Sequence, residues 1–400
     1  MNLPMQSPTD LARTHSRSGL ARALGRLGAF EVFIALHIVV TVFLLRAHNM
    51  NLGWQAVSYS VPKLLVSTLE ILGYGVLAYI VWCVARRRPL RPYFRRIRTA
   101  GWLLLTLRIY IGIVAAAFGY MWLKVSIPLI NERLWDRQLW NLDVWLHGGI
   151  SPSLFLTELF QGTILVTLVD WWYASWLWTS LIGMTFFCCF PQARIRRQVI
   201  YSHLLLWIAG VWIYLAIPAL GPVYVRPADF AEVRKELPIN VGSQDNLWVN
   251  YQKVLEGRDG PLPQLNPVRG IASMPSLHVA AHWLLMLWAR RRARPLFMPF
   301  ALATAATFVA SIVTGWHYAV DGYAGIVLAQ LVYWVSLRVP QGNFSGLTRI
   351  TPRLSFAGEN ARSRAPVSAE HGPGAHDHLT AARDGGHSRR DAAGRDAALG

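Results

Sequence analysis

Gly315-Trp316-His317-Tyr318-Ala319-Val320-Asp321-Gly322 leads directly into an apolar stretch that continues to Leu337, and upstream Ser273-Met274-Pro275-Ser276-Leu277-His278-Val279 opens a second apolar stretch in the same way. Each puts an ionisable side chain at the mouth of an apolar segment, where it is costly unless solvated, paired or used. His317 and Asp321 are four residues apart. On a helix they share a face, and the carboxylate can take the Nδ1 proton of the imidazole. That leaves Nε2 free as a nucleophile, with His278 as a second histidine able to act as acid and base in a group transfer.

Working outward, the rest of the chain has the composition of a membrane protein. It is 54% hydrophobic and 15% charged with 18 Trp, where a soluble domain carries roughly 25% charged residues. Crossing a bilayer core takes about 20 apolar residues. Suitable runs lie near Ala29–Leu45, Leu64–Ala85, Gly101–Leu123, Gly162–Phe190, Val199–Leu220, Pro275–Ala289, Pro295–Thr314 and Trp316–Leu337. The expected fold is therefore all-α, a polytopic membrane helix bundle of about eight transmembrane helices. No small-residue cleavage site follows the first run, which reads as an anchor. Four segments are expected: a basic cytoplasmic N-terminus (1–28), two helices with an Arg-rich loop (29–100), a catalytic membrane domain (101–338), and a disordered cytoplasmic tail (339–400) poor in aromatics.

The formal charge of +18 is distributed by topology. Arg13, Arg17, Arg22 and Arg26 precede the first run; seven arginines from Arg86 to Arg98 follow the second; Arg194, Arg196 and Arg197 follow the fourth; and Arg290, Arg291, Arg292 and Arg294 follow the sixth. If every run crosses, all of these lie on one side. The opposite side holds near-neutral loops such as Gly221–Met274, with six basic and six acidic residues. The positive-inside rule makes the arginine side cytoplasmic, with both termini inside. It also explains the charge without nucleic acid as a partner. His278 and His317 then reach the same outer boundary at the N-terminal ends of two helices, whose N–H groups and dipoles favour an anion such as phosphate. Pro275 suits the first turn of its helix, and Gly322 with Gly325 would let a neighbouring helix approach.

Ala272-Ser273-Met274-Pro275-Ser276-Leu277-His278-Val279-Ala280 and Thr314-Gly315-Trp316-His317-Tyr318-Ala319-Val320-Asp321 resemble the second and third signatures of the type-2 phosphatidic acid phosphatase superfamily. The resemblance is closer to its inositol phosphorylceramide synthase branch and extends over roughly Leu123 to Leu337. It implies a six-helix lipid phosphatase/phosphotransferase-like core in a bacterial inner (plasma) membrane, with the active site on the outer face. The substrate would be a membrane lipid phosphate and the acceptor water or an alcohol, so that hydrolase and transferase activity are both open. By the same resemblance His317 attacks phosphorus to form a phosphohistidine, Asp321 orients it, and His278 protonates the leaving oxygen, with no cofactor and no metal. Two positions depart from the family pattern. The usual lysine seven residues before an Arg-Pro pair is Ala219, although Arg226-Pro227 is present, and the arginine often found six residues before the third-signature histidine is Ser311. Arg226, Arg269 and Lys253 are the remaining candidates for binding phosphate, since cationic side chains match its oxygens, and Ser276 joins them as a substrate-binding candidate beside His278.

Other features fit plainer roles. His37 and His282 are as well explained as hydrogen-bond partners between helices, and Asp170 and Arg108 could pair, line a cavity or hold the bundle together. Segment Pro128–Phe160 is too polar to span and has Leu and Trp at helical spacing, which predicts an interfacial helix. Cys83, Cys188 and Cys189 offer neither an outer disulfide nor a thiolate cluster, and there is no Walker or Rossmann glycine motif. Two rival classes remain: a metal-dependent enzyme using His278, His317 and Asp321 as a facial triad, and a non-catalytic lipid transporter, which would want midplane charges and internal repeats. The sequence names no protein partner.

Overall fold

The computed structural model describes residues 29–48, 50, 54–190, 192–257 and 265–338. The chain divides into two units, Met1–Thr351 and Pro352–Gly400, and the second lies wholly outside the described residues, as do the expected N-terminal segment 1–28 and tail from 339 onward. The helices in chain order are α1 (Ala29–Ala47), α2 (Trp54–Ala85), α3 (Arg91–Ile97), α4 (Ala100–Ile130), α5 (Asp136–Leu146), α6 (Pro152–Phe160), α7 (Ile164–Cys188), α8 (Ala193–Ala216), α9 (Pro222–Val225), α10 (Ala231–Arg234), α11 (Pro238–Glu256), α12 (Leu277–Arg292), α13 (Phe297–Val313) and α14 (Ala319–Arg338). No strand occurs among the described residues, so the fold is the expected all-α bundle.

Local chemistry sets several helix starts. The hydroxyls of Thr99, Ser151 and Ser276 accept from the N–H groups of Trp102, Leu154 and Val279, capping α4, α6 and α12. Pro152 and Pro238 occupy first-turn positions, where a missing N–H costs nothing.

Among the described residues five helices are long and apolar enough to cross a membrane: Ser60–Ala85, Trp102–Ile130, Arg194–Ala216, Arg294–Val313 and Ala319–Arg338. A sixth arises if α6 and α7, bent by 118° to each other, are taken as one broken span. The chain is thus an integral membrane protein. Of the expected runs, Pro275–Ala289 does not qualify as a span by its own length. With 16 residues, α12 is about 24 Å long, short of the roughly 30 Å hydrocarbon core.

That short helix is nonetheless the centre of the bundle. Leu277, Val279, Ala280, Leu284, Leu285 and Trp288 are buried, and α7, α8, α13 and α14 pack around them. Trp288 donates to Ser202 on α8 (3.1 Å) and meets the Tyr333 ring of α14 edge-on. Farther out, α2 packs on α7 and α1 on α4. Glu31 of α1 accepts from Arg108 of α4, so of the roles open to Arg108 in the sequence this ion pair fits holding helices of the bundle together. The outward faces of α1 and α2 expose Leu36, Val39, Phe43, Leu69, Leu77 and Val81, which suits a lipid solvent and would be a liability in water.

Candidate active site

Backbone hydrogen bonds tie the loop before α12 to α14 and to the segment after α8, and tie α9 to the loop between α13 and α14. Ser276 N donates to Asp321 O (2.8 Å), Ser273 N to Ala219 O (2.9 Å), and Val223 N to Gly315 O (3.0 Å). Glycine makes the closest approaches possible. A Cβ on Gly325 would lie 2.4 Å from Ser276 O, and one on Gly322 2.4 Å from the Phe308 ring, so both glycines do what their spacing predicts. Gly221 has φ +103, and a Cβ there would lie 2.5 Å from Trp316 O.

This clamp brings His278, His317 and Asp321 into one chain of contacts. His317 Nε2 is 2.8 Å from His278 Nδ1, and His317 Nδ1 is 3.3 Å from Asp321 Oδ2. The same Oδ2 accepts from Ser273 Oγ (2.6 Å) and from Tyr318 N (2.9 Å). If Nδ1 of His317 donates to the carboxylate, its Nε2 is the acceptor and His278 Nδ1 carries the proton between the rings, a tautomer assigned from the network. His317 and Asp321 are about fully buried, at 1% and 0% exposure, while His278 is partly accessible. Tyr173 stacks on the His278 ring at 5.1 Å and Trp176 meets it edge-on at 4.0 Å. These aromatic walls shed water from the imidazole pair.

Two helix ends differ from the sequence reading. Helix α14 begins at Ala319, so His317 sits in the loop before it. Pro275 precedes the Ser276 cap and lies outside the first turn of α12. The N-terminus of α14 was expected to offer its N–H groups to an anionic ligand. Asp143 of α5 already takes them, accepting from Ala319 N and Val320 N at 3.0 Å each.

Asp143 is one of three buried carboxylates that build the walls of the site. Asp136 accepts from Leu220 N, from Gly221 N (2.9 Å) and from the Tyr318 hydroxyl (2.9 Å). Burial pushes Asp136 and Asp143 above the ordinary carboxylate range, while these donors pull the other way. Asp170 of α7 accepts from Ile239 N and Asn240 N at the start of α11 (3.1 and 2.9 Å), and Asn240 in turn accepts from the Trp316 indole at 3.1 Å. Asp170 therefore supports the backbone next to His317. In the sequence Asp170 is able to pair, line a cavity or hold the bundle together; Asp136 and Asp143 are not singled out, although Trp135-Asp136-Arg137 falls within the family resemblance.

Two of the expected phosphate cations have side-chain partners of their own. Arg226 pairs with Asp229 and stacks its guanidinium 4.2 Å from the Trp140 ring centre. Arg269 donates to Asn246 (3.1 Å), and Lys253 is exposed on α11. These contacts do not reach the histidine pair. Ser276 acts as a helix cap and a backbone donor to Asp321. His282 joins helices, with Thr179 Oγ1 3.0 Å from Nε2, and His37 packs edge-on to Trp212. The site histidines and Asp321 follow one another in a relay and do not converge on a point. Among the described residues no group of three His, Cys, Asp or Glu is placed to hold a metal ion.

Residues 137–335 match the family model described as the PAP2 superfamily. No curated protein and no solved structure gives a significant match.

Proposed function

Taking residues 137–335 as a PAP2-superfamily segment, we propose that this integral membrane protein is a lipid phosphatase or phosphotransferase whose reaction is carried by His317, His278 and Asp321. The observation that carries the reading is the relay in which His278 Nδ1, the two nitrogens of His317 and Asp321 Oδ2 follow one another at 2.8 and 3.3 Å. A base oriented by a buried carboxylate, next to a second titratable ring, is the arrangement nucleophilic catalysis needs.

In the resting protein the nucleophilic nitrogen of His317 is covered by His278. A lipid phosphate entering the site must displace that contact, which frees the His317 lone pair and the His278 proton together. The Nε2–P bond then forms as the P–O bond to the lipid oxygen breaks, and that oxygen takes a proton from His278, which enters the step as imidazolium and leaves it neutral. In the second half His278 removes a proton from water or an alcohol. The new O–P bond forms as N–P breaks, releasing phosphate or a phosphodiester and restoring His317. Asp321 keeps the Nδ1 proton in place and stabilises the imidazolium character that develops during attack. The rates at stake are about 10²–10⁴-fold for acid–base assistance, with positioning at the membrane supplying more.

The arginine distribution supports placing this chemistry on the outer face with both termini in the cytoplasm, as in a bacterial inner membrane. The form of the second and third signatures supports the inositol phosphorylceramide synthase-like branch and transfer to an alcohol. The test is turnover of a panel of lipid phosphates by the purified protein, with and without alcohol acceptors and with a chelator present. Phosphate release or transfer that survives chelation supports the reading. Activity that vanishes with chelator and returns with zinc or iron would move it to a metal enzyme, and lipid movement without bond cleavage to a transporter.

A further inference from the structure

Deep in the bundle, on the membrane-spanning helix α4, Lys124 is only partly accessible and stands 5.5 Å from the centre of the Tyr214 ring. The backbone of the loop before α12 closes over its stem, since a Cβ on Gly270 would lie 3.0 Å from Lys124 Cγ. Tyr214 lies one turn along α8 from Gly210, where a Cβ would come within 2.6 Å of Leu277, the residue before His278. Among the described residues no carboxylate pairs with the ammonium.

An ammonium in such a place is expensive unless an anion joins it. Here the surroundings add to the imbalance. The N-terminal end of α12 contributes partial positive charge, and the nearest carboxylate on the histidine relay, Asp321 Oδ2, is already committed to three donors. The site thus collects a cation, a helix N-terminus and two imidazoles beside one carboxylate, whose Oδ1 is buried without a partner but does not pair with Lys124. A phosphate group supplies the missing anion. The positions where the family pattern places cations hold Ala219 and Ser311, so the charge must come from another element.

We propose that Lys124 is the phosphate clamp of this protein: its ammonium holds the non-bridging oxygens of the phosphoryl group while His317 faces the phosphorus. The inference rests on the functional reading above and assigns it a binding residue. The ligand class is a phosphate monoester or diester, carried on a lipid headgroup or as the free anion.

The test uses the full-length protein in detergent, with orthovanadate as the free-anion probe and phosphatidic acid in mixed micelles as the lipid probe. Lys124→Met should weaken vanadate binding and raise the KM for the lipid by about 10–100-fold, the range of a charge-assisted contact. Lys124→Arg should recover most of both. Without ligand, Lys124→Met should melt at the same temperature as the parent or higher, because it removes an uncompensated buried charge. Undiminished vanadate binding in Lys124→Met would overturn the clamp, as would a loss confined to the lipid probe, which would place Lys124 at the headgroup. A clear fall in the ligand-free melting temperature would overturn it too, by making Lys124 a structural cation. If the parent itself neither binds vanadate nor cleaves any lipid phosphate, the functional reading beneath the clamp fails instead.

Discussion

Asp321 Oδ2 receives Ser273 Oγ and Tyr318 N as well as His317 Nδ1, so two further donors fix the carboxylate that touches the imidazole. The orientation of His317 therefore depends on a serine that does not contact it. His317→Ala should abolish turnover, and Asp321→Asn should lower kcat strongly in a folded protein, because only tautomer and orientation are disturbed. Near-normal activity of purified His317→Ala would show that the nucleophile is elsewhere. Ser273→Ala should lower kcat by about tenfold with little change in KM, since it loosens a charge-assisted hydrogen bond of ordinary strength. Steady-state kinetics on one lipid phosphate measures the split. For His278 the discriminating substrate pair is a lipid alkoxide and an activated nitrophenolate. His278→Ala should cost about 10²–10⁴-fold on the first and much less on the second, which needs little protonation to leave. Equal losses on the two substrates would remove His278 from the acid role. The His278, His317 and Asp321 trio was legible in the sequence because a charge at the mouth of an apolar run is rare. Ser273 was quoted in the same motif but was not singled out, because a serine in a loop has no such signature. Lys124 was hidden inside an apolar run, where one lysine does little to hydropathy.

The helices themselves were legible as apolar runs, but hydropathy does not show where a helix starts. The chain enters α14 at Ala319 because Tyr318 N turns back to Asp321 and the next two N–H groups are held by Asp143. Asp143 lies on α5, far away in sequence. Segment 128–160 was expected to be an interfacial helix. It is split between the end of α4 and the short helices α5 and α6, and α5 wears its faces inside out. Asp136, Leu139 and Asp143 point inward, while Leu142, Trp145 and Leu146 are exposed. A helix with that pattern belongs against lipid, its polar side serving as a capping device for the core. Asp143→Ala should thus cost about 0.5–2 kcal/mol, the usual loss on removing an N-terminal cap. Asp143→Asn should recover part of it, as read by melting temperature, and activity should fall in parallel as the loop holding His317 loosens. Gly325→Ala would press a methyl against Ser276 O, with no side chain to move aside. It should damage both stability and turnover, whereas Ala at Gly242, which has nothing within 4 Å, should change neither.

At the scale of the whole molecule, the count of crossing helices and the side of the active site are linked. Helix α12 is too short to span and is walled in by its neighbours, so the orientation of the bundle has to be read from its longer helices and from the arginines at their ends. Arg91, Arg95 and Arg98 are exposed around α3, which follows the long helix α2, whereas α10 and α11 together carry three acidic residues (Glu232, Asp245, Glu256) and two basic ones (Arg234, Lys253). If the positive-inside rule governs this chain, α11 faces the outside together with the loops that hold His317. A cysteine-free background is accessible because only Cys83, Cys188 and Cys189 need replacing, the first and last buried and Cys188 partly so. On that background Gly242→Cys, at an open position on α11, should react in intact cells with a membrane-impermeant maleimide. Arg95→Cys should react only after the membrane is permeabilised. The reverse pattern would invert the bundle and put the phosphoryl chemistry in the cytoplasm. Labelling of both in intact cells would mean that the arginine loop does not lie inside, and the outer-face assignment would lose its support while the histidine relay kept its own.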